Sequence, residues 1–287
     1  MQIVTDRGMD MAPEQMKGYE FHFAPLRITL DEKSYVSGVD IQHAEFYELL
    51  SKTESFPTTS QPSSGEFAAL YRTLAKSDPD ILSIHISSGL SGTINAARAG
   101  AEMVPEANVT IVDTLTLSCP MGWQVEAAAR TLKAGWSLEQ VLAQMAKIGA
   151  ETLGIFTLSN LNYLIHGGRI SHLKGLVASL LNIKPIIAVE KESGKYQSLA
   201  QEITLKRALS KMVELLDGMY DSTKPVRVQL LHGDNLPAIE ILKPRMEQVF
   251  DCHWLPTVAV APVLGAHTGP SLVGLAIAPL ALFTDLP

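Results

Sequence analysis

Three short segments of the chain carry hydroxyl groups, glycines or a histidine at spacings that suit ligand binding. They are residues 57–63 (PTTSQPS), 87–93 (SSGLSGT) and 265–270 (GAHTGP). The first leads into a predicted helix, the second joins a predicted strand to a helix, and the third lies between two predicted strands. Ligands of open α/β sheets collect at the carboxyl ends of the strands, so these segments are the first candidates for a binding site.

The segment 87–93 has the composition of an anion site. Its hydroxyl donors belong to Ser87, Ser88, Ser91 and Thr93. Gly92 and the glycine at 89 keep the backbone open, and the helix that follows directs its N–H groups and the positive end of its dipole at the same place. A phosphate or a carboxylate would fit there. A loop that only caps its helix with Ser or Thr explains the same residues, and the spacing alone leaves both readings open.

The other two segments are equally ambiguous when each is taken alone. Thr59 and Ser60 are candidate donors, whereas Ser63 and Glu66 have the spacing of a capping box for a helix that starts near Pro62. His267 lies between two glycines, so its imidazole can stand close to backbone and ligand, but a lone histidine is more often a hydrogen-bonded structural residue. Arg169 follows two glycines, which indicate a turn. The arginine is either a surface residue of this turn or a positive charge that the turn holds in the binding site.

Several known site types are excluded by these patterns. No Lys follows the second glycine of residues 87–93, so the segment is not a phosphate-binding Walker loop. Thr93 stands where a nucleophile elbow needs its second glycine. The dinucleotide-binding pattern of three glycines is absent. The histidines and cysteines show no zinc-ligand spacing, so we expect no metal and no cofactor.

Composition limits the protein class. The 287 residues carry a formal charge of −7, with 46% hydrophobic and 18% charged residues, which is typical of a globular protein and argues against a nucleic-acid binder. Cys119 and Cys252 are too few for a disulfide framework and fit a reducing compartment. Charged residues near the amino terminus do not suit a signal peptide, and the most apolar stretch, 271–283, is too short to span a bilayer. We therefore expect a cytoplasmic protein.

Alternating strand and helix patterns supply the elements that must position these segments. Strands are predicted at 2–5, 21–30, 81–86, 109–112, 153–158, 184–189, 196–201, 226–231, 257–260 and 272–278. Helices are predicted at 40–52, from 62 to 74, and at 93–104, 118–133, 137–148, 173–181, 204–216 and 237–249. This alternation and the chain length predict two α/β domains with mainly parallel sheets, 1–155 and 156–287.

Five motifs in this order resemble the DegV family of bacterial fatty-acid-binding proteins. They are residues 59–63 (TSQPS), 87–93 (SSGLSGT), 161–170 (LNYLIHGGRI), 180–186 (LLNIKPI) and 267–270 (HTGP). The resemblance covers nearly the whole chain. The chain departs from the family pattern at three positions on the rim of the site. Arg7 and Thr114 each follow an aspartate, at positions where the family usually has Ser. Ser271 follows Pro270, at a position where the family often has Gly.

The resemblance implies a ligand site between the two domains and a protein that binds without catalysis. Its ligand is a long-chain fatty acid, whose tail would lie in a tunnel of the 156–287 domain, among apolar residues that include Phe156, Leu176, Leu180 and those at 258–264. The carboxylate would be held by Thr59, Ser60, Ser88 and His267, within a wider set of Ser87, Ser91, Gly92, Thr93, Arg169 and Thr268. The resemblance does not decide which serine of residues 87–93 makes the direct contact.

The resemblance also implies partners. In some bacteria a fatty acid kinase phosphorylates the bound acyl carboxylate, and Arg169, Lys206 and Arg207 would belong to its docking surface. A transient contact with a membrane surface fits the same role. Two other functions remain open on the residues alone: a serine hydrolase or acyltransferase that uses the 87–93 loop with His267 as its base, and a binding module for a phosphorylated metabolite.

Overall fold

The computed structural model describes residues 1–173 and 183–287. The strands are β1 (Gln2–Asp6), β2 (His22–Ala24), β3 (Arg27–Leu30), β4 (Lys33–Val36), β5 (Thr58–Ser60), β6 (Asp80–His85), β7 (Asn108–Asp113), β8 (Leu153–Thr157), β9 (Lys184–Val189), β10 (Tyr196–Glu202), β11 (Val226–His232), β12 (Cys252–Trp254), β13 (Val258–Ala259) and β14 (Val273–Pro279). The helix predicted over 173–181 lies, apart from its first residue, outside the described residues.

The helices pack on both sides of the sheets. They are α1 (Pro13–Met16), α2 (His43–Lys52), α3 (Ser64–Ala75), α4 (Thr93–Glu102), α5 (Ser118–Lys133), α6 (Leu138–Glu151), α7 (Asn162–His166), α8 (Leu205–Asp217), α9 (Leu236–Glu247), α10 (Pro262–Thr268) and α11 (Ala281–Thr284), and a 3-10 turn spans Arg169–His172. In the described part of the chain, no helix combines the length and the apolar character needed to cross a membrane.

The first sheet is parallel throughout. Its strand order is β2-β1-β6-β7, and every neighbouring pair runs in the same direction. Its strands are short apolar runs, as expected for a sheet covered on both faces. The carboxyl ends of β1, β6 and β7 therefore lie along one edge, and residues 87–93 begin directly beyond β6. The predicted strand, loop and helix order around this segment is confirmed.

The second sheet is mixed, which differs from the expected mainly parallel arrangement. Its order is β10-β9-β8-β14-β11-β12, with β13 also beside β11. Only β12 and β13 run parallel to β11, and the other pairs are antiparallel. The short connection between β9 and β10 allows only an antiparallel hairpin, since a parallel pair needs a crossover of a dozen residues or more. The α/β architecture itself is confirmed.

A third, three-stranded antiparallel sheet was not predicted. Its order is β4-β3-β5, and Thr59 of β5 lies opposite Ile28 of β3. The sequence places residues 57–63 in a loop, whereas the structure has 58–60 in an edge strand. Strand β5 is short and lies next to α10, which makes the small sheet the support for one wall of the candidate site.

The largest hydrophobic cluster runs from the first sheet to the second. It contains Ile3 and Leu82 from the first sheet, Trp123 and Val125 from α5, and Ala276 from β14. Residue 155, the expected domain boundary, lies inside β8. The division into domains 1–155 and 156–287 stays a prediction.

Candidate functional site

A cavity of about 310 Å³ lies where β5, α10 and the segment before α4 meet. We call it the head chamber. Its polar lining consists of Thr59, Ser60, Gln61, Ser91, Arg169, Tyr196 and His267, and its apolar lining of Leu26, Ile86, Leu90, Leu117, Val263 and Leu264. No acidic residue of the described chain contributes to this lining. Ser60 and Gln61 are exposed at its rim, so the chamber is accessible from solvent.

Thr59 and His267 form the polar centre of the head chamber. Thr59 Oγ1 lies 2.7 Å from His267 Nε2, although the two residues are 208 positions apart in the chain. His267 Nδ1 is buried and has no hydrogen-bond partner among the described residues. If Nε2 carries the proton and donates to Thr59 Oγ1, the Thr59 hydroxyl is free to donate to a ligand. The histidine then orients the hydroxyl.

The imidazole of His267 is held neutral. Burial and, to a smaller extent, the nearby Arg169 guanidinium lower its pKa to about 3. Gly167 makes this position possible, because a Cβ there would lie 2.1 Å from His267 Nδ1. Close packing against the histidine therefore explains why residue 167 is a glycine.

Arg169 supplies the positive charge of the head chamber. Its Nε donates to the carbonyl of Leu90 at 3.3 Å, and Nη1 donates to the carbonyl of Gly167. Burial lowers its pKa from the ordinary arginine value, but guanidinium stays protonated in proteins. No carboxylate of the described residues pairs with it. A half-buried, unpaired cation beside a hydroxyl donor is a favourable place for an anion.

A narrow apolar space of about 40 Å³ adjoins the head chamber. We call it the throat. Leu117, Tyr196 and Leu264 line both spaces. The throat continues between α5 and the second sheet, lined by Phe156, Val189, Leu231, Val260 and Leu272. Of the residues expected to line a tail tunnel, Phe156 and Val260 are found there, whereas Leu176 and Leu180 lie outside the described residues.

The structure places two of the predicted serines outside the head chamber. Ser87 is fully buried, and its hydroxyl donates to the carbonyl of Gly194 at 2.7 Å, which joins this loop to the β9–β10 turn. Ser88 is exposed, and its N–H donates to Asp113 Oδ1 at 3.2 Å. The hydroxyl of Ser87 is committed to the backbone and is not available to a ligand in the head chamber.

Ser91 is the serine of this segment that lines the head chamber. Its Oγ lies 2.8 Å from Thr93 Oγ1, and Thr93 is fully buried. Gly92 is covered by Gln61, whose Oε1 would lie 2.2 Å from a Cβ at that position. The start of α4 is therefore partly closed, which weakens the interpretation as a phosphate site. Among the described residues, Ser91 makes no hydrogen bond to an imidazole, which weakens the hydrolase interpretation.

The remaining predicted residues lie away from the head chamber. Thr268 is buried, lines the throat and donates to the carbonyl of Leu264 at 3.1 Å. Lys206 and Arg207 are exposed on α8, and Arg207 Nε donates to Glu202 at 2.7 Å. Their role in docking stays a prediction.

His267, which the sequence analysis places only between two predicted strands, belongs to helix α10. Pro262 in the first turn and Gly269 at the end, with φ of +70°, are the usual helix boundary signals, and they were present in the sequence. Asp10 fixes the start of this helix: its Oδ1 accepts from Ala261 N at 2.8 Å. Its Oδ2 accepts from Ser118 Oγ at 2.6 Å. Burial raises the pKa of Asp10 to about 7.

A second histidine cluster lies within the first sheet. Asp6 Oδ2 is 2.8 Å from His85 Nδ1, His85 Nε2 is 2.7 Å from Ser83 Oγ, and Ser83 Oγ is 2.8 Å from the hydroxyl of Tyr71. The side chains of all four residues are fully buried. Asp6 also accepts from the backbone N–H groups of Gly8 and Ile86. No sequence motif singles out these four residues.

Comparison with known proteins agrees with this architecture. The family model described as "Uncharacterised protein, DegV family" matches residues 1–280. The chain belongs to the DegV family. A DegV domain-containing protein of Deinococcus radiodurans is 34% identical over 281 residues, which is 96% of this chain and 95% of the relative. The family resemblance drawn from the five motifs is confirmed.

Two solved DegV structures superpose over almost the entire chain. A fatty-acid-binding DegV family protein from Thermus thermophilus is 28% identical with a TM-score of 0.87, covering 97% of this chain and 99% of that one. DegV, a fatty acid binding protein from Bacillus subtilis, is 28% identical with a TM-score of 0.86, covering 97% and 98%. The mixed second sheet and the small third sheet thus belong to a fold that DegV proteins share.

Proposed function

We propose that this protein binds a long-chain fatty acid, with the carboxylate in the head chamber and the tail in the throat, and that it catalyses no reaction. The observation that carries the proposal is the Arg169 guanidinium, which pairs with no carboxylate of the described residues and lies beside the Thr59–His267 pair, next to an apolar throat. A single ligand with an anionic end and an apolar chain satisfies both parts.

The two ends of the ligand contribute differently to the free energy of binding. Each buried methylene contributes about 0.8 kcal/mol, so the tail supplies most of the gross affinity. A carboxylate buried without partners would cost several kcal/mol, so donors must converge on it. Thr59, Ser60 and Arg169 supply such donors, and neutral His267 adds no second charge that would hold the head group too tightly for transfer.

The exposed rim supports presentation of the carboxylate to a partner. Ser60 and Gln61 are exposed, so a second protein can reach the acid end while the tail stays covered. We include a fatty acid kinase as this partner, with Arg169, Lys206 and Arg207 near or on the docking surface, and a transient contact with a membrane surface for loading. The two free thiols, Cys119 and Cys252, support a cytoplasmic location.

The direct test compares hexadecanoic acid with its methyl ester by calorimetric titration of the delipidated protein. The ester keeps the tail but lacks the anionic oxygen. Hydrogen bonds to charged groups contribute about 1.5–3 kcal/mol, so we expect the acid to bind roughly 10- to 100-fold more tightly. Equal affinities would contradict a carboxylate site, and no binding of either ligand would contradict the proposed function.

A further inference from the structure

Tyr196 lines the head chamber and the throat with one side chain. It lies at the start of β10, and it is the only described residue of the head chamber lining that belongs to a strand of the second sheet. No sequence motif singles it out. A tyrosine between a polar and an apolar space has a ring that suits an alkyl chain and a hydroxyl that suits a polar group.

The position of Tyr196 is fixed by its strand and by its neighbours. It pairs with Val189 across the β9–β10 hairpin. The turn before it is held by Ser87, whose hydroxyl donates to the carbonyl of Gly194. The ring packs edge-on against Phe156, with the ring centroids 5.5 Å apart and the ring planes at 72°. A hydroxyl on a ring held in this way loses little conformational entropy when it binds a ligand.

The charge of Arg169 reaches the phenol oxygen of Tyr196. Burial raises the pKa of Tyr196, and the one charged group that acts against this rise is the Arg169 guanidinium. The interaction is mutual, because Tyr196 raises the pKa of Arg169 against the larger, lowering effect of burial. Coulomb interactions weaken with distance, so the phenol oxygen lies on the side of the ring that faces the guanidinium. At neutral pH this phenol is protonated and can donate a hydrogen bond.

The hydroxyl of Tyr196 makes no hydrogen bond to the described residues. Two other tyrosines show the usual arrangement: the Tyr71 hydroxyl lies 2.8 Å from Ser83 Oγ, and the Tyr220 hydroxyl donates to two backbone carbonyls. A buried tyrosine normally has such a partner. Since Tyr196 borders a cavity, a molecule in that cavity can supply the partner, and next to a guanidinium an anionic oxygen is the most favourable one.

We propose that the Tyr196 hydroxyl donates a hydrogen bond to the carboxylate of the bound fatty acid, in addition to the contacts from Thr59 and Arg169. The inference rests on the proposed function, since it requires the carboxylate in the head chamber. The ring of Tyr196 lies beside the first methylenes of the tail. The residue therefore fixes how deeply the carboxylate enters, and it favours a free acid over a lipid whose carboxyl group is esterified.

The test is a titration of the delipidated wild type and of Tyr196→Phe with hexadecanoic acid and with its methyl ester. Phenylalanine keeps the ring and its packing against Phe156 and removes the hydroxyl. Hydrogen bonds to charged groups are stronger than those to neutral ones, so we expect the acid to lose roughly tenfold in affinity and the ester about threefold or less. The carboxyl resonance of bound ¹³C-labelled hexadecanoic acid should also differ between the two proteins, which a change of packing away from the carboxylate would not cause.

Tyr47→Phe is the matched control. Tyr47 is also a buried tyrosine whose hydroxyl has no hydrogen-bond partner among the described residues, but this hydroxyl is enclosed by protein and Tyr47 does not line the head chamber. The control variant should bind the acid and the ester with the wild-type ratio of affinities, and the carboxyl resonance of the bound acid should stay at its wild-type position.

The outcomes separate the two proposals. If the wild type binds neither ligand, or binds the acid and the ester equally, the proposed function or its carboxylate site fails. If the wild type prefers the acid and Tyr196→Phe keeps the same ratio of affinities, the proposed function stands and the inference about Tyr196 fails. An equal fall of this ratio in Tyr47→Phe would also overturn the inference, because the effect would then not come from a hydroxyl that reaches the ligand.

Discussion

Two hydroxyl–histidine clusters of this protein use the same residue types and differ in access. Asp6, His85, Ser83 and Tyr71 form a continuous hydrogen-bonded chain that is fully buried. Thr59 and His267 form a shorter cluster that lines a chamber, with Nδ1 of the histidine left unpaired among the described residues. The first contains the Asp-His-Ser order of a catalytic triad, but its side chains are fully buried.

The comparison indicates that a buried network with all its hydrogen bonds formed stabilises the fold. A network beside a cavity with a hydrogen-bonding atom left over indicates a binding site. Buried polar groups are nearly always paired, so the closed network is what a well-packed sheet requires. His267 Nδ1, which has no partner among the described residues, is unusual for the same reason. We therefore assign the Asp6–His85 cluster to the fold and the Thr59–His267 cluster to the ligand.

Replacement of His85 should have the largest effect on stability. In His85→Ala the buried Asp6 and Ser83 lose a partner, and removal of one member of such a network costs about 3 kcal/mol or more. Urea unfolding would measure the loss, and fatty acid titration of the folded protein should give an affinity close to that of the wild type. A wild-type free energy of unfolding with weakened binding would reverse our assignment of the two clusters.

Replacement of Thr59 should have the opposite profile. Thr59→Val removes the donor while keeping the shape, and we expect a loss of about 2 kcal/mol in fatty acid affinity with little change in stability. Thr58→Val on the same strand is the control, because Thr58 is exposed and does not line the head chamber. Equal losses in both variants would mean that the strand, and not the hydroxyl, matters.

The pH dependence of stability should reflect His267 and Asp10 with opposite signs. The unfolded imidazole takes up a proton near pH 6.5 and the folded one only near pH 3, so His267 makes the free energy of unfolding fall as pH decreases through this window. Asp10, with a pKa raised from 3.8 to about 7, makes it fall as pH increases from about 4 to 7.

Single variants separate these two contributions. Asp10→Asn should make stability rise more steeply between pH 4 and 6.5, and His267→Gln should make it rise less or decline, each by roughly 1 kcal/mol per pH unit. Chemical unfolding at several pH values would measure the slopes. A slope in His267→Gln that equals the wild-type slope would show that the imidazole is not held neutral in the folded protein.

Two neighbouring serines should give the smallest effects and a clear contrast. Ser87→Ala removes the hydrogen bond to Gly194 and should lower the free energy of unfolding by about 1 kcal/mol. Ser88→Ala changes an exposed side chain and should stay within about 0.5 kcal/mol of the wild type. Neither variant should change fatty acid affinity by itself. A binding loss in Ser88→Ala would return the serine to the head-group site, where the family resemblance puts it.

Local signals in the sequence predicted much of the first sheet and its loops. The Ser63–Glu66 capping box of α3 is present, with Glu66 N donating to Ser63 Oγ at 3.2 Å, and α5 has the predicted bounds of 118 and 133. These features depend on residues a few positions apart. Glycine, proline and hydroxyl residues, which mark turns and caps, singled out the segments 57–63, 87–93 and 265–270, and residues of all three line the head chamber.

The structural features that the sequence did not predict depend on contacts between residues far apart in the chain. Strand β5 exists because residues 58–60 pair with β3, and Ser87 turns inward because its partner carbonyl belongs to Gly194, more than a hundred residues away. The sequence alone therefore could not show that the Ser87 hydroxyl is committed to a backbone carbonyl. Tyr196 was missed as a chamber residue for the same reason.

The most direct test of the account is a crystal structure of the protein saturated with hexadecanoic acid. We expect one carboxylate oxygen within hydrogen-bond distance of Thr59 Oγ1, the other near the Arg169 guanidinium, and the alkyl chain in the throat beside Leu117 and Tyr196. A carboxylate bound elsewhere, or a head chamber that stays empty while the acid is bound on the surface, would contradict the account.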